Sequence, residues 1–555
     1  SNVAVGDAAL YTNTTGSRNI AIGDYAMGVN TTGQYNIAIG HGALDANTTA
    51  SANTAVGYVA LGANTTGHSN VAVGANSLDA NTEGFNNVAV GEDALGANTT
   101  ADYNTAVGRM ALSAVTTQGS LTALGASALQ ANTTGSHNTA VGYNALVANT
   151  TGSSNTAIGR EALDANTTAS YNTAMGHAAL GANTTGANNT AIGFETLKSN
   201  TTANDNTAVG YDALEDNTTG TKNSAFGVNC MFNNISGSRN CAYGNEALGE
   251  NTTGDYNCAY GKAALYTNTT GNNNTAYGAG ALFANNANDN VAVGYDAGKA
   301  ITTGTQNVSM GKDALLVATT SNSNTAIGYA SQAWSTSSDN TSLGHEALRG
   351  ASSGSPATGG RNVAIGRGSM EDSNGNGYRN TAVGYHTLRN GTTCYENTCL
   401  GYTSGDNITT GARNVTIGAS ADTSANNVNY EIVIGYNIVG KGESTGFISP
   451  GGGSVYQGNN SSTWNTTSDI RIKKNVVDNN IGLDKINQIQ VRNFEYRTEE
   501  EITELPSTCA IAKEGLQLGV IAQEIETILP DVVNTESTGC KSVNPDNIRW
   551  YLVNA

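Results

Sequence analysis

Apolar and polar residues follow one short cycle along most of this chain. Aligned on Asn-x-Ala-x-Gly, the leading Asn falls at Asn2, Asn19, Asn36, Asn53 and Asn70 and continues in steps of 17 to Asn274, with Leu121 the one departure. Motifs then begin at Asn290, Asn307, Asn324, Asn340, Asn362, Asn380, Asn397, Asn414 and Glu431, giving 26 repeats, each with Gly in the fifth slot. A typical unit, residues 138–154, reads NTAVGYNALVANTTGSS. Such a unit is too short for two helices and a turn. It suits one coil of a parallel β-solenoid, with two strands of about five residues and coils stacked about 4.8 Å apart. The fifth-slot Gly supplies a positive φ or a close backbone approach at a corner. The recurring Asn residues are expected to stack into side-chain ladders.

Alternation along a strand assigns faces: in the unit at Asn138, Thr139 and Val141 point one way and Ala140 the other. The fourth slot is apolar or aromatic in every repeat, and the ninth is Leu or Met in the first 17. These two columns are expected to fill the coil interior. The third slot is Ala in 21 of 26 repeats, and this restriction to small residues is read as a column against which another chain packs. On that reading, Leu at Ala140 and Ala157 would disrupt assembly.

Composition narrows the partners. The net charge of −19 excludes a nucleic-acid role, which needs a basic face to release counterions. No apolar run reaches the roughly 20 residues of a membrane-spanning helix. The six histidines, at 41, 68, 137, 177, 345 and 386, share no slot spacing, so no metal or other cofactor is expected. The seven cysteines form no CxxC pair and no dense disulfide framework. Cys241 and Cys258 occupy the same slot of adjacent repeats and are read as small buried filler. Adjacent threonines leave at most one outward Thr column per strand, which argues against an ice-binding array. No paired carboxylates mark a glycan-cleaving cleft. The chain opens inside a repeat at Ser1–Gly6, which predicts a preceding segment carrying any signal or virion attachment.

The Asn-x-Ala-Val/Ile-Gly element resembles the head repeat of trimeric autotransporter adhesins and related phage tail fibres. The resemblance covers residues 1–440 and implies a parallel β-roll with three chains about one axis. A rod of 26 such coils would run on the order of 125 Å. From Asn324 onward the register loosens, with extra residues at 352–360 and 372–378 and Trp334 in a slot that usually holds Ala. Loops leaving a rigid scaffold are where recognition tends to reside.

Near residue 468 the composition changes: the last 88 residues hold 23 charged side chains and 4 glycines, against 46 and 64 in the preceding 467. The expected organisation is therefore a solenoid shaft at 1–440, a Gly-rich neck at 441–467 and a small α+β domain at 468–555. Within that domain the pattern predicts a helix near 482–486, strands at 491–496 and 516–522, a helix at 523–529 stopped by Pro530, and a last helix opened by Asn544-Pro545. Three segments, Ser468-Asp469-Ile470-Arg471-Ile472-Lys473-Lys474-Asn475, Phe494-Glu495-Tyr496 and Gly519-Val520-Ile521-Ala522-Gln523-Glu524 with Pro530, resemble the intramolecular chaperone of endosialidases and other phage tailspikes, the peptidase S74 domain. The resemblance implies a domain that trimerises the shaft and then cuts itself off once between Thr467 and Ser468, with Ser468 as nucleophile and Lys473 as base. A lysine can deprotonate serine only if its pKa is lowered, and Arg471 and Lys474 are cations placed to do so. The family usually continues into a longer terminal helix beyond the Ala555 at which this chain stops.

The resulting expectation is a mainly β, homotrimeric fibre at the phage tail or another extracellular site. It would bind a host-surface glycan or protein, with no turnover enzyme and one self-cleavage event. A bacterial trimeric adhesin is the alternative.

Overall fold

The computed structural model describes residues 1–350, 357–372, 376–450, 454–458, 465–466, 473–477, 482–506, 510–511, 513–536 and 539–553. The chain divides into two compact units, Ser1–Thr466 and Thr467–Ala555.

The first unit is a parallel β-solenoid. Each of the 26 repeats places one strand in a single parallel sheet, starting with Val3–Val5 and Ile20–Ile22 and ending with Ile432–Gly435. Slots align without slippage: Thr139, Ala140 and Val141 pair with Thr156, Ala157 and Ile158. The expected two strands per coil are corrected to one. A strand of three residues occupies slots two to four, and turns complete the coil. These turns still bond along the stack. In the unit at Asn138, Asn144 N donates to Ala126 O at 3.1 Å in the preceding coil, while Leu146 N donates to Ala162 O at 3.0 Å in the following one. Alternate amides can point up and down because Asn144 and Leu146 adopt φ of 57° and 53°. The left-handed region is unusual for leucine, and the stacked hydrogen bonds hold it there.

Burial inverts one expected face. Ala140 and Ala157 in the third slot are fully buried inside their own coils, together with Leu146 in the ninth slot and Ala145 in the eighth. The fourth slot points outward: Ile22, Ile39, Leu124 and Met175 are 37–39% exposed. The ninth-slot Leu therefore fills the interior as expected, but the fourth-slot column does not, and the third-slot Ala column faces this chain's own core. The reason is width. Leu from the turn wall crosses the narrow interior and leaves room for only a methyl group on the strand wall, so close packing restricts the third slot to small residues.

Two Asn columns share that interior. In the twelfth slot, Asn149 Nδ2 donates to Asn132 Oδ1 at 2.7 Å and to Gly152 O at 3.0 Å, and Asn166 Nδ2 in turn donates to Asn149 Oδ1 at 2.8 Å. In the first slot, Asn138 Oδ1 accepts from Asn155 N at 2.9 Å and Asn138 Nδ2 donates to Gly152 O at 2.7 Å. The amides of Asn138 and Asn149 are thus paired, as burial of polar groups requires. Gly142 shows why the corner takes glycine: its φ is 135°, and a Cβ would lie 2.4 Å from Gly159 O in the next coil.

Residues 441–467, expected as a neck, carry further strands. Gly446–Ser449 adds to Ile432–Gly435 in parallel, and Val455–Gln457 then pairs antiparallel with it, which ends the parallel stack.

The second unit has a small core of Ile525, Leu529, Val532 and Tyr551, packed by Ile486, Val520, Val543 and Ile548. Helices Leu483–Ile486, Ala522–Ile528 and Pro545–Val553 and the antiparallel pair Arg492–Phe494 with Gln517–Gly519 lie where the sequence pattern puts them. Asn544 Oδ1 caps the last helix by accepting from Asp546 N at 3.0 Å.

Candidate functional surfaces and the C-terminal unit

With the strand alternation established, slots two and four of every coil form one outward stripe. Its composition separates it from the rest of the shaft surface. Across 26 coils these positions hold only Val, Ile, Leu, Met, Thr, Ser, Cys, Phe and Tyr, with no charged residue. Charges occupy other outward slots, as with Arg160, Glu161 and Asp164 in the coil at Asn155. Slot two is β-branched in all coils but three consecutive ones, which carry Ser224, Cys241 and Cys258. In those coils slot four holds Phe226, Tyr243 and Tyr260, whose rings stack at centroid distances of 4.7 and 4.8 Å. Tyr277 extends the stack at 5.6 Å. Small neighbours beside large rings keep the summed volume of the stripe nearly level.

The same coils place Cys241 directly opposite Cys258 on adjacent strands. Both are half-buried free thiols on the outward stripe, so the expectation that they are interior filler is corrected: slot two shares the outward parity of slot four. Cys230, Cys394 and Cys399 are the fully buried thiols, and burial pushes each up to about 12. In the second unit Cys540 is disulfide-bonded.

On the turn wall, Tyr211, Phe232 and Tyr266 line a shallow cavity of about 230 Å³ together with Asp212, Glu246 and Glu250. Beside it, carboxylate oxygens of Glu195, Asp212 and Glu215 lie within 4.8 Å of one another. Burial, reinforced by the neighbouring carboxylates, raises the Asp212 and Glu215 carboxyls. Lys198 supplies the local countercharge, 2.7 Å from Glu195 and 3.7 Å from Glu215. No sequence motif marks this group, because its members are split between two adjacent coils, Glu195 in one and Asp212 and Glu215 in the next.

Of the residues expected to perform cleavage, Lys473 is exposed. Thr467 and Ser468 lie outside the described residues, as does Arg471, so the dyad has no described geometry. The rest of the unit is held by ordinary surface chemistry. Arg492 pairs with Glu524 at 3.0 Å, bridging a strand and a helix, and Tyr551 Oη donates to Asp531 Oδ2 at 2.6 Å.

The decisive comparison is with protein families. Residues 468–534 match the family Peptidase_S74, the chaperone of endosialidase. The match begins at the position where composition changes and spans the strand pair and the helix Ala522–Ile528. Together with a parallel solenoid of 26 coils, it fits a tail-fibre-like protein with an intramolecular chaperone domain. Chaperones of this family are associated with trimerisation. No curated protein matches the chain. Among the described residues no helix is long and apolar enough to cross a membrane.

Proposed function

We propose that this chain is the shaft of a homotrimeric phage tail fibre or tailspike that attaches to the host surface. On this reading its C-terminal unit assembles the trimer and then detaches by one cut before Ser468. The observation that carries the reading is the charge-free outward stripe. Solvent places no such restriction on 52 positions, two in each of 26 coils, whereas a dry contact between chains does, because a buried unpaired charge is costly. Fourth-slot side chains such as Ile22, Ile39, Leu124 and Met175 stand 37–39% exposed along that stripe, a run of apolar surface that association of chains would bury. On this reading the interface lies on the Thr/Val face, opposite in parity to the Ala column.

The test is Val141→Asp combined with Ile158→Asp. Both side chains leave the coil, so the solenoid should retain its β circular dichroism while sedimentation equilibrium shifts from trimer to monomer. A parent chain that sediments as a folded monomer, or a variant that stays trimeric, would refute this placement.

Cleavage rests on the family likeness and on simple chemistry. A serine hydroxyl adjoining the Thr467 carbonyl needs a base, and Lys473 lies five residues on. Ser468→Ala and Lys473→Ala should each leave a full-length, still trimeric product. Denaturing electrophoresis of the folded parent should show a released fragment of about 10 kDa. An uncut parent would remove the self-cleavage step and leave the chaperone step standing.

A further inference from the structure

The stripe contains one group whose chemistry structural packing does not use. Cys241 and Cys258 face each other in register on neighbouring parallel strands. Adjacent strands lie about 4.8 Å apart, inside the roughly 4.4–6.8 Å between Cα atoms that a disulfide spans. Cys241 Sγ lies 3.5 Å from Tyr260 Oη, on the strand that carries Cys258. Both are half-buried rather than sealed, unlike Cys230, whose thiol is enclosed in the core 3.3 Å from Ala242 O. A β-branched residue occupies slot two in 23 of 26 coils, so two consecutive cysteines there depart from what the strand otherwise prefers. The disulfide at Cys540 is an independent sign that this chain works where thiols oxidise.

We propose that Cys241 and Cys258 form an intrachain disulfide that clasps two adjacent coils of the shaft, made by thiol–disulfide exchange with a small disulfide such as oxidised glutathione. One cysteine thiolate attacks a glutathione sulfur, breaking that S–S bond and releasing one glutathione thiolate. The second cysteine thiolate then attacks the protein sulfur of the mixed disulfide, and the second glutathione leaves. The two protein thiols are oxidised, one glutathione disulfide is reduced to two thiols, and the protons lost by the cysteines pass through solvent to the released glutathione. Burial, followed by the neighbouring Cys241, raises the Cys258 thiol above its ordinary value. Thiolate is therefore scarce at neutral pH and exchange quickens as pH rises. The clasp does not depend on the fibre reading, since it needs only the register of two coils.

The test folds the full chain in a glutathione redox buffer, then quenches, denatures, alkylates and maps peptides by mass. The expected result is a peptide linking Cys241 to Cys258, lighter by two hydrogens than the reduced pair, with no cross-linked chains on a non-reducing gel. Its yield should rise several-fold from about pH 7 to about pH 9. Because oxidation accompanies folding, later covering of the stripe by another copy does not affect the outcome. The variant Cys258→Ser should instead retain glutathione on Cys241. Separate alkylation of both cysteines after oxidation, or a link between chains, would overturn the proposal. So would a Cys258→Ser chain that never traps glutathione.

Discussion

Swapping the twelfth-slot residue in opposite directions at two coils tests whether the amide ladder holds the stack. Asn149→Val removes the donor to Asn132 Oδ1 and the acceptor for Asn166 Nδ2, whereas Gly152 O keeps its bond from Asn138. The two groups left without that partner cost about 1–3 kcal/mol each, and burying Val in place of an amide returns about 1.5 kcal/mol. The net is a local loss of about 2 kcal/mol, allowing for partial relaxation. The chain already carries the same change at Val115, which is fully buried beside the ladder break at Leu121. There Asn98 Oδ1 is buried without a partner, and Asn132 Nδ2 donates only to Gly135 O at 2.9 Å. Val115→Asn restores a donor for Asn98, an acceptor for Asn132 and a bond to Gln118 O, so it should stabilise by about 1–2 kcal/mol. A solenoid opens locally, so the assay is native-state amide exchange across the affected coils rather than a global melting point. At about 1.4 kcal/mol per decade, Asn149→Val should cut protection of the Thr150 and Thr167 amides by about 30-fold, and Val115→Asn should raise that of the Thr99 amide by about 10-fold. Changes of the same sign at both sites, or no change beyond about two-fold, would show that the ladder sets register without supplying stability.

Ala140→Leu overpacks a sealed interior and should destabilise its coil by about 1–3 kcal/mol. Loss of amide protection around residues 138–160 in the variant, with trimer mass unchanged where the coil still closes, separates this from the interface variants. Asp422 gives a pH dependence: burial raises its carboxyl to about 6 from 3.8, while its Oδ1 accepts from Asn407 N at 3.0 Å. The folded state then holds a proton that the unfolded chain releases, so stability is greatest below about pH 4, falls as pH climbs to about 6 and stays lower above. Amide exchange near Asn407 should be slower at pH 4.5 than at pH 7 once corrected for intrinsic rates, and Asp422→Asn should abolish the difference; an unaltered pH profile in that variant would refute the assignment. Phe226→Ala and Tyr260→Ala leave holes in the stacked column and should weaken association by about 1–3 kcal/mol each without unfolding the coils, read by sedimentation at decreasing concentration.

The period, the parallel sheet and the interior Asn columns were legible in the sequence because each recurs with the coil. The faces of the strand differ from the expectation, although the pattern that assigns them is in the sequence. Slots one and three share strand parity, so an interior ladder at Asn138 already places Ala140 inside and Val141 outside. Bulk at slot four marks a core face only where the core is wider than one leucine. The second expected strand failed for another reason. The ninth-slot leucines sit at positive φ, and nothing in a leucine announces that backbone state, which is imposed by stacking on the coils above and below. In the second unit, caps and breakers such as Asn544 and Pro530 lie beside the chain they control, so its helices could be placed from local sequence.

The interior and the stripe are coupled through register. A sheet built from three-residue strands has little apolar area per strand to fix its pairing, and a slip by one residue would turn every third-slot Ala outward and every fourth-slot Val or Ile inward. The Asn columns oppose such a slip, because a displaced coil strands two buried amides at once, one in each column. Stacked coils therefore present slots two and four in line from Val3 to Ile434. On the proposed trimer reading, a partner chain would meet one continuous stripe rather than 26 separate patches, and the association free energy would accumulate along it. That arrangement gives the two buried Asn columns a second role beside their local stability: they hold the alignment on which the proposed interface depends.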